Sequence, residues 1–557
     1  MAPFQPQERL RHLKPPYDVV VVGGGIYGAT VAWEAVSRGL SVLLMESRDF
    51  GSGTSANSLK TIHGGLRSLQ RLDFREMREY IRERRALLRI APHLIVPMPC
   101  VIPTFPPLSQ SKLLLGTGLK LYDLIAWDRN NGLCDSRYIP PGQVISRKRL
   151  IELAPGFGDS SATGGVRWAD AQAHNSERLV LAFVMAAREA GATVFNYMKK
   201  QEYIVNQGKV CGVIAKDGLT GREVEVAARA VIDCTGSWAV QDRLFVNSTG
   251  MSIPEVTVRG VNLVVKRKLS ACALGVRPLT GLEDSKRLLF IVPWRQGSIV
   301  GTWYYPEAAD FDHLELTEVE LSNCLVQINS VFPSPGLKRE DVTLIHCGLL
   351  PANAGKQEGD EPHLWSHAGI VSSESGRGPR GIYWVQGVKL TTARATAVKV
   401  LGQVARYLNS PVTASRTCET ALYGAGFADY HAYEQCCYKK LSGHWSMEIV
   451  TRLLRNYGSN LDAILDICRQ EQSLAQLIPG TTDTLRAELR YILENEMVCT
   501  LSDLMLRRTD IGSFACPGED TIEYCADVMA QYQEWDTTQR RENINTLLQC
   551  YPEWCRC

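Results

Sequence analysis

Y-D-V-V-V-V-G-G-G-I-Y-G-A-T-V-A-W-E-A-V-S, residues 17–37, decides the fold. Tyr17 to Val22 is an apolar, β-branched run of strand length, and Ala29 to Ser37 reads as a helix. Between them Gly23, Gly25 and Gly28 form G-x-G-x-x-G, with Ile26 and Tyr27 inside it. Gly23 permits a tight turn, Gly25 lets the backbone approach a pyrophosphate, and Gly28 lets the helix pack close to the strand. The helix N-terminus then faces the phosphates. A second strand, Ser41 to Met45, ends at Glu46, where a carboxylate accepts hydrogen bonds from both ribose hydroxyls of an adenosine and disfavours a 2′-phosphate. Strand, glycines, helix, strand and terminal acid in this order predict a Rossmann-type dinucleotide-binding unit.

The rest of the chain sets the limits around that unit. At 557 residues it is long enough for two or three lobes and a large core. A net charge of +2 and 22% charged residues show no bias toward nucleic acid, so no nucleic-acid partner is expected. Residues 1–16 are polar, proline-bearing and without an apolar signal segment, which predicts a flexible N-terminus and a cytoplasmic protein. The 17 cysteines are scattered, and the tail Cys550, Cys555 and Cys557 lacks a paired C-x-x-C, so reduced thiols and no metal are expected. Two further segments bear on surfaces. Leu113 to Trp127 is apolar but too short to span a membrane; it reads first as core or pocket wall and second as an interfacial segment. Arg71 to Arg89 is basic, with Glu76, Glu79 and Glu83 at helical spacing, which describes a solvated helix face.

Past Glu46 comes a glycine- and serine-rich loop, Gly51 to Ser55, and then L-K-T-I-H-G-G-L-R at residues 59–67. This segment resembles the flavin-dependent glycerol-3-phosphate dehydrogenases and oxidases, whose serine-rich stretch leads into K-L-I-H-G-G-L-R beside the isoalloxazine ring. The likeness continues at Gly164 to Asp170 (G-G-V-R-W-A-D), Val231 to Trp238 (V-I-D-C-T-G-S-W), Phe290 to Thr302 and Gly381 to Arg394 (G-I-Y-W-V-Q-G-V-K-L-T-T-A-R). The chemistry agrees: Val231 to Cys234 and Ile382 to Val385 read as buried strands, each followed by a turn where backbone can meet a dinucleotide. The resemblance implies FAD as cofactor, a small-molecule substrate, and oxygen or quinone as electron acceptor, with peripheral membrane contact as in some relatives.

The expected fold is α/β: a Rossmann-type FAD-binding domain over 17–401 with a strand-rich substrate domain inserted at roughly 100–165 and 250–365, and an all-helical C-terminal domain over 402–557, where amphipathic spacing predicts helices at Ser446 to Tyr457, Leu461 to Gln470, Asp483 to Asn495 and Gln539 to Cys550. Cofactor contacts are expected from Gly23, Gly25, Ile26, Tyr27, Gly28, Glu46, Ser47, Thr54, Ser55, Leu59, His63, Gly64, Gly65, Leu66, Thr235, Gly236, Trp238, Gly387, Lys389, Leu390 and Thr391. The resemblance carries His63, Arg67 and Lys389 onto the flavin face. His63 is the first candidate base, Lys389 a stabiliser of the reduced flavin or an alternative base, and Arg67 an anchor for an anionic group.

Elsewhere the family pattern is broken. Its G-S-H histidine is Asn262, its G-L-R-P arginine is Leu350, and its G-T-T-D turn carries Trp303 and Tyr304. A second arginine falls on His367 by ungapped counting, with Arg377 and Arg380 as alternatives. Asn262, Trp303, Tyr304, Leu350 and His367 are therefore the expected substrate contacts. Three functions follow: dehydrogenation of a small alcohol or amine other than glycerol 3-phosphate, glycerol-3-phosphate dehydrogenation with a rearranged phosphate site, or a non-catalytic flavoprotein.

Overall fold

The computed structural model describes residues 8–106, 111–242, 256–277, 288–306, 314–331, 336–353, 363–372 and 378–556. Tyr17–Val22 lies at the centre of a sheet, parallel to Val42–Met45 on one side and to Glu223–Asp233 on the other. Thr193–Phe195 extends it beyond Val42–Met45, and Ile382–Gln386 beyond Glu223–Asp233. Because helices cover one face and the strands Met198–Asn206 and Lys209–Asp217 the other, the central strand is apolar at successive positions: Val19, Val20 and Val21 are all buried. Helix Ile26–Ser37 packs between Ser176–Glu189 and Ala393–Leu408, with Trp33 set edge-on to Phe183 at 5.4 Å.

A second, larger sheet is built around antiparallel pairs, with Val256–Val265 between Gly297–Pro306 and Val342–Asn353. It takes more of the chain than the expected insertion. Ile95–Thr104 pairs along its length with Gly164–Ala173, and Thr61–Ile62 pairs with the end of that strand. The two sheets thus exchange chain near residues 61, 95 and 164, and both reach the same cavity.

The C-terminal part is helical. Met447–Tyr457, Leu461–Gln470, Arg486–Asn495 and Thr537–Gln549 fall where amphipathic spacing placed helices. Their apolar faces share one core, and buried charges tie them to the first sheet. Arg508 donates to both Asp49 carboxylate oxygens at 2.8 Å, Arg507 adds a third bond at 2.5 Å, and Arg178 pairs with Glu496 at 2.9 Å.

Three surface readings are corrected. Arg9 is buried, donates to the Asn196 carbonyl and faces Asp217, so residues 8–16 are anchored rather than loose. On Phe74–Ile90, Glu76, Glu83 and Arg84 are buried; Glu83 pairs with Arg394, a partner that helical spacing could not show. Leu113 to Trp127 lines no pocket wall and reaches the core along one face only. Its helix, Lys112–Ile125, buries only Leu119 and Tyr122 and leaves Leu113, Leu124 and, just beyond it, Trp127 at 75%, 72% and 75% exposure. Among the described residues no helix is long and apolar enough to cross a membrane, and the described cysteines are free thiols.

Candidate active site

A cavity of about 1040 Å³ runs between the two sheets. One end is made by the glycine turn and Glu46. Helix Ile26–Ser37 starts at Gly25 without a side-chain cap of its own, and Ser55 Oγ from the facing loop accepts from the Ile26 N–H at 3.0 Å. Glu46 accepts from the Gly24 and Arg48 N–H groups at 2.6 and 2.8 Å, which fixes its carboxylate at the cavity edge. Gly23, Gly25, Ile26, Tyr27, Ser47, Thr54, Thr235, Gly236 and Trp238 continue this wall. A side chain on Gly23 would strike the Cys234 carbonyl, and one on Gly28 would strike the Gly23 carbonyl. The turn is therefore a cradle that only glycine can close, and a pyrophosphate fits its shape and polarity.

His63 stands where Thr61–Ile62 leaves the second sheet. The antiparallel register Thr61 with Gln172 and Ile62 with Ala171 carries His63 opposite Asp170. Nδ1 of His63 lies 3.9 Å from an Asp170 oxygen, so Nε2 occupies the other edge of the ring. Asp170 is held by the Gly64 N–H at 2.8 Å and by Arg84 at 3.1 Å, while Arg84 also donates to the Tyr122 hydroxyl. Burial alone would raise the Asp170 carboxyl, but His63, Arg84 and the Gly64 N–H outweigh it and hold it below the usual carboxylate range. The His63 N–H donates to Thr391 Oγ1 at 2.9 Å, joining this loop to the segment that carries Lys389.

Lys389 donates to the Tyr80 hydroxyl and, at 3.4 Å, to the Ser366 carbonyl. Burial lowers its ammonium to about 8; Glu76 opposes the shift, while Arg71 and Arg67 add to it. Arg67, Arg71 and Lys389 all line the cavity, as do Leu59, Gly65, Leu66, Gly387 and Leu390. From the second sheet come Asn262, Tyr304 and Leu350, with Thr302 donating to Asn262 Oδ1 at 2.7 Å.

Other expected contacts sit elsewhere. Trp303 points to the opposite face of its strand, into the core, and donates to Gln327 at 3.0 Å; strand alternation presents Thr302 and Tyr304 to the cavity instead. His367 does not line the cavity: its Nδ1 faces Glu76 at 3.5 Å and its side chain is 57% exposed. Gly28, Gly64 and Thr391 support the wall from behind; a side chain on Gly64 would strike Arg84 and Tyr122. Arg380 stacks over Tyr407 at 5.9 Å, away from the cavity, and Arg377 lies outside the described residues. Sequence reasoning missed Asp170, Arg71, Tyr80, Trp168 and Phe290, all of which line the site. The acid ending G-G-V-R-W-A-D was the available signal for Asp170.

Comparison with known proteins agrees with this arrangement. Residues 18–400 match the FAD dependent oxidoreductase family, and residues 415–540 match the C-terminal domain of alpha-glycerophosphate oxidase. The chain is 28% identical to a glycerol-3-phosphate dehydrogenase of Synechocystis over 97% of this chain and 98% of that one. It is likewise 28% identical to the mitochondrial glycerol-3-phosphate dehydrogenase of Homo sapiens, over 95% of this chain and 72% of that one. A solved glycerol-3-phosphate dehydrogenase from Bacillus halodurans, complexed with FAD, superposes with a TM-score of 0.74 at 25% identity, covering 98% of this chain and 97% of that one. With the glycine cradle, the two-sheet cavity and the helical C-terminal domain in place, the chain belongs to the FAD-dependent oxidoreductases, among the glycerol-3-phosphate dehydrogenases and oxidases.

Proposed function

We propose that the protein holds FAD between the glycine cradle and the His63 loop and oxidises a C–H bond next to an alcohol or amine of a small polar molecule other than glycerol 3-phosphate. The carrying observation is the cavity wall of the second sheet, where Leu350 and Asn262 stand where the family pattern has an arginine and a histidine, beside Thr302 and Tyr304. An arginine fork in a desolvated site contributes about 1.5 to 3 kcal/mol to an anion, so its loss weakens phosphate binding tenfold or more. When bound, FAD would supply the hydride acceptor. His63 then takes the substrate proton at Nε2 while Asp170 orients the ring from the Nδ1 side, and Arg67 anchors an anionic group. Under anaerobic conditions, glycerol 3-phosphate should bleach the flavin poorly while another small alcohol or amine bleaches it fast. Rapid bleaching by micromolar glycerol 3-phosphate would overturn this reading. It would favour the second one, glycerol 3-phosphate itself, for which the cationic pair Arg67 and Arg71 speaks.

Lys389 serves in this reading as the cation that favours the reduced cofactor. Lys389→Met should lower the flavin reduction potential by on the order of tens of millivolts, since about 30 mV corresponds to 1.4 kcal/mol for a two-electron couple. The cation is present below its pKa of about 8 and lost above it, so the difference from the wild type should shrink as pH rises through 8. A spectroelectrochemical titration at pH 6.5 and 9.5 checks this; equal potentials at the lower pH would refute it.

The protein also docks on a bilayer surface through Lys112–Ile125. Leu113, Leu114, Leu121, Leu124 and Trp127 are exposed together, and Leu72 and Phe74 are exposed at the end of the neighbouring 3-10 turn that carries Arg67 and Arg71. At about 1.5 kcal/mol per apolar side chain withdrawn from water, Leu113→Ser, Leu124→Ser and Trp127→Ser together should weaken co-sedimentation with phosphatidylglycerol vesicles roughly a thousandfold. Unchanged co-sedimentation would exclude this face.

A further inference from the structure

Lys389 leads away from the cavity through a chain of groups whose hydrogen bonds run in one direction. Lys389 Nζ donates to Tyr80 Oη, and Tyr80 Oη donates to Glu76 Oε1 at 3.4 Å. The same Glu76 oxygen lies 3.5 Å from Nδ1 of His367, whose side chain is 57% exposed, whereas Tyr80 and Glu76 are buried. Glu76 divides its two oxygens between tasks. Oε2 accepts from Ser68 Oγ at 2.6 Å and from Arg71 at 2.8 Å, which leaves Oε1 to Tyr80 and His367. Asp73 accepts from the Glu76 N–H at 2.9 Å and caps the helix. With these commitments the cluster of Asp73, Glu76 and His367 is a hydrogen-bonded network rather than a metal centre.

We propose that Tyr80 Oη, Glu76 Oε1 and His367 Nδ1 form a proton passage between Lys389 Nζ inside the cavity and solvent. Outward, the Lys389 ammonium gives a proton to Tyr80 Oη as Tyr80 gives its own to Glu76 Oε1. The neutral carboxyl then protonates His367 Nδ1, and the imidazolium releases a proton from Nε2 to water. Each step breaks one bond to hydrogen and forms one, no electrons move, and Lys389 is left as the amine; uptake runs in reverse. Tyr80 never ionises, since burial and the adjacent Glu76 raise its hydroxyl far above the working range. The charged groups facing the passage are Arg67 and Arg71 beside Lys389, Arg71 and Asp73 beside Glu76, and Glu79 on the helix that carries Tyr80. A cofactor filling the cavity would cover Lys389 from the open side, so a route through the wall keeps the amine in exchange with bulk water.

The inference rests on the reading that FAD occupies this cavity. The test uses the flavin-loaded full chain, flash-reduced with a deazaflavin photosensitiser in weakly buffered solution, with flavin absorbance and a pH-indicator dye followed together. In the wild type proton uptake should keep step with reduction. In Tyr80→Phe, which keeps the buried ring, and in His367→Ala, uptake should lag at least tenfold at unchanged flavin content. Added imidazole should restore His367→Ala, whose defect opens to solvent, and not Tyr80→Phe, whose break is internal. Uptake at the wild-type rate in Tyr80→Phe would overturn the passage while leaving the FAD reading intact. A chain that retains no flavin would overturn both.

Discussion

His63→Asn should slow flavin reduction by about 10² to 10⁴ and abolish the acidic limb of its pH profile, while FAD content stays near normal. The magnitude is that of losing a positioned general base. Two features of the site support it. The antiparallel pairing of Thr61–Ile62 with Gly164–Ala173 fixes where the imidazole stands, and the buried Asp170 faces Nδ1 at 3.9 Å, leaving Nε2 for substrate. Cofactor retention should survive because the loop is tied to Thr391 through the His63 backbone N–H, which asparagine keeps. Stopped-flow reduction across pH, with the best substrate of the panel, measures both the rate and the limb. If His63→Asn keeps the acidic limb and Lys389→Met removes it, the amine is the base and the histidine is structural.

Gly25→Val should fold and fail to retain FAD, with affinity reduced at least about a thousandfold, or ~4 kcal/mol. The structure separates this glycine from its neighbours. A Cβ on Gly25 meets only Ser55 Oγ at 3.2 Å, and its backbone, at φ −73°, suits an ordinary residue. The new side chain therefore intrudes on the cofactor side and not on the protein. Gly28→Val is the contrast: its Cβ collides with the Gly23 carbonyl oxygen, a backbone atom that cannot give way, so this variant should lose stability by about 3 kcal/mol or more. Flavin absorbance after gel filtration, beside thermal melting of both variants, distinguishes the two effects. Wild-type FAD content in Gly25→Val would refute the cradle.

What the residues disclosed on first reading follows the range of the interactions involved. The strand from Tyr17, the glycine turn, the helix and Glu46 were legible because turn, cap and buried strand are decided within thirty residues of one another. The helices beyond Ser446 were legible for the same reason, since amphipathic spacing is local. Asp170 was not assigned a role, because its bond with the His63 loop exists only once two distant segments pair antiparallel. Trp303 was misplaced for a related reason. Its neighbours Thr302 and Tyr304 face the cavity, and the register slips between Val261 and Asn262, so which face a given residue takes depends on a bulge that composition does not reveal. The solvated reading of Glu76 and Glu83 failed because helical spacing reports which residues share a face, and not that Arg71, Tyr80 and Arg394 cover it.

The clasp on Asp49 has a bearing on how such a protein can change over evolutionary time. Asp49 comes three residues after Glu46 at the cavity edge, yet the guanidinium groups that neutralise it, Arg507 and Arg508, belong to the other family region of the chain. Burial would raise this carboxyl, and the two arginines hold it well below the usual range, so without them a charge would be stranded in the interior. The two regions match separate family models, yet a buried ion cluster joins them. A lineage that exchanged its C-terminal helices would have to bring both arginines with them, or give up the acid first.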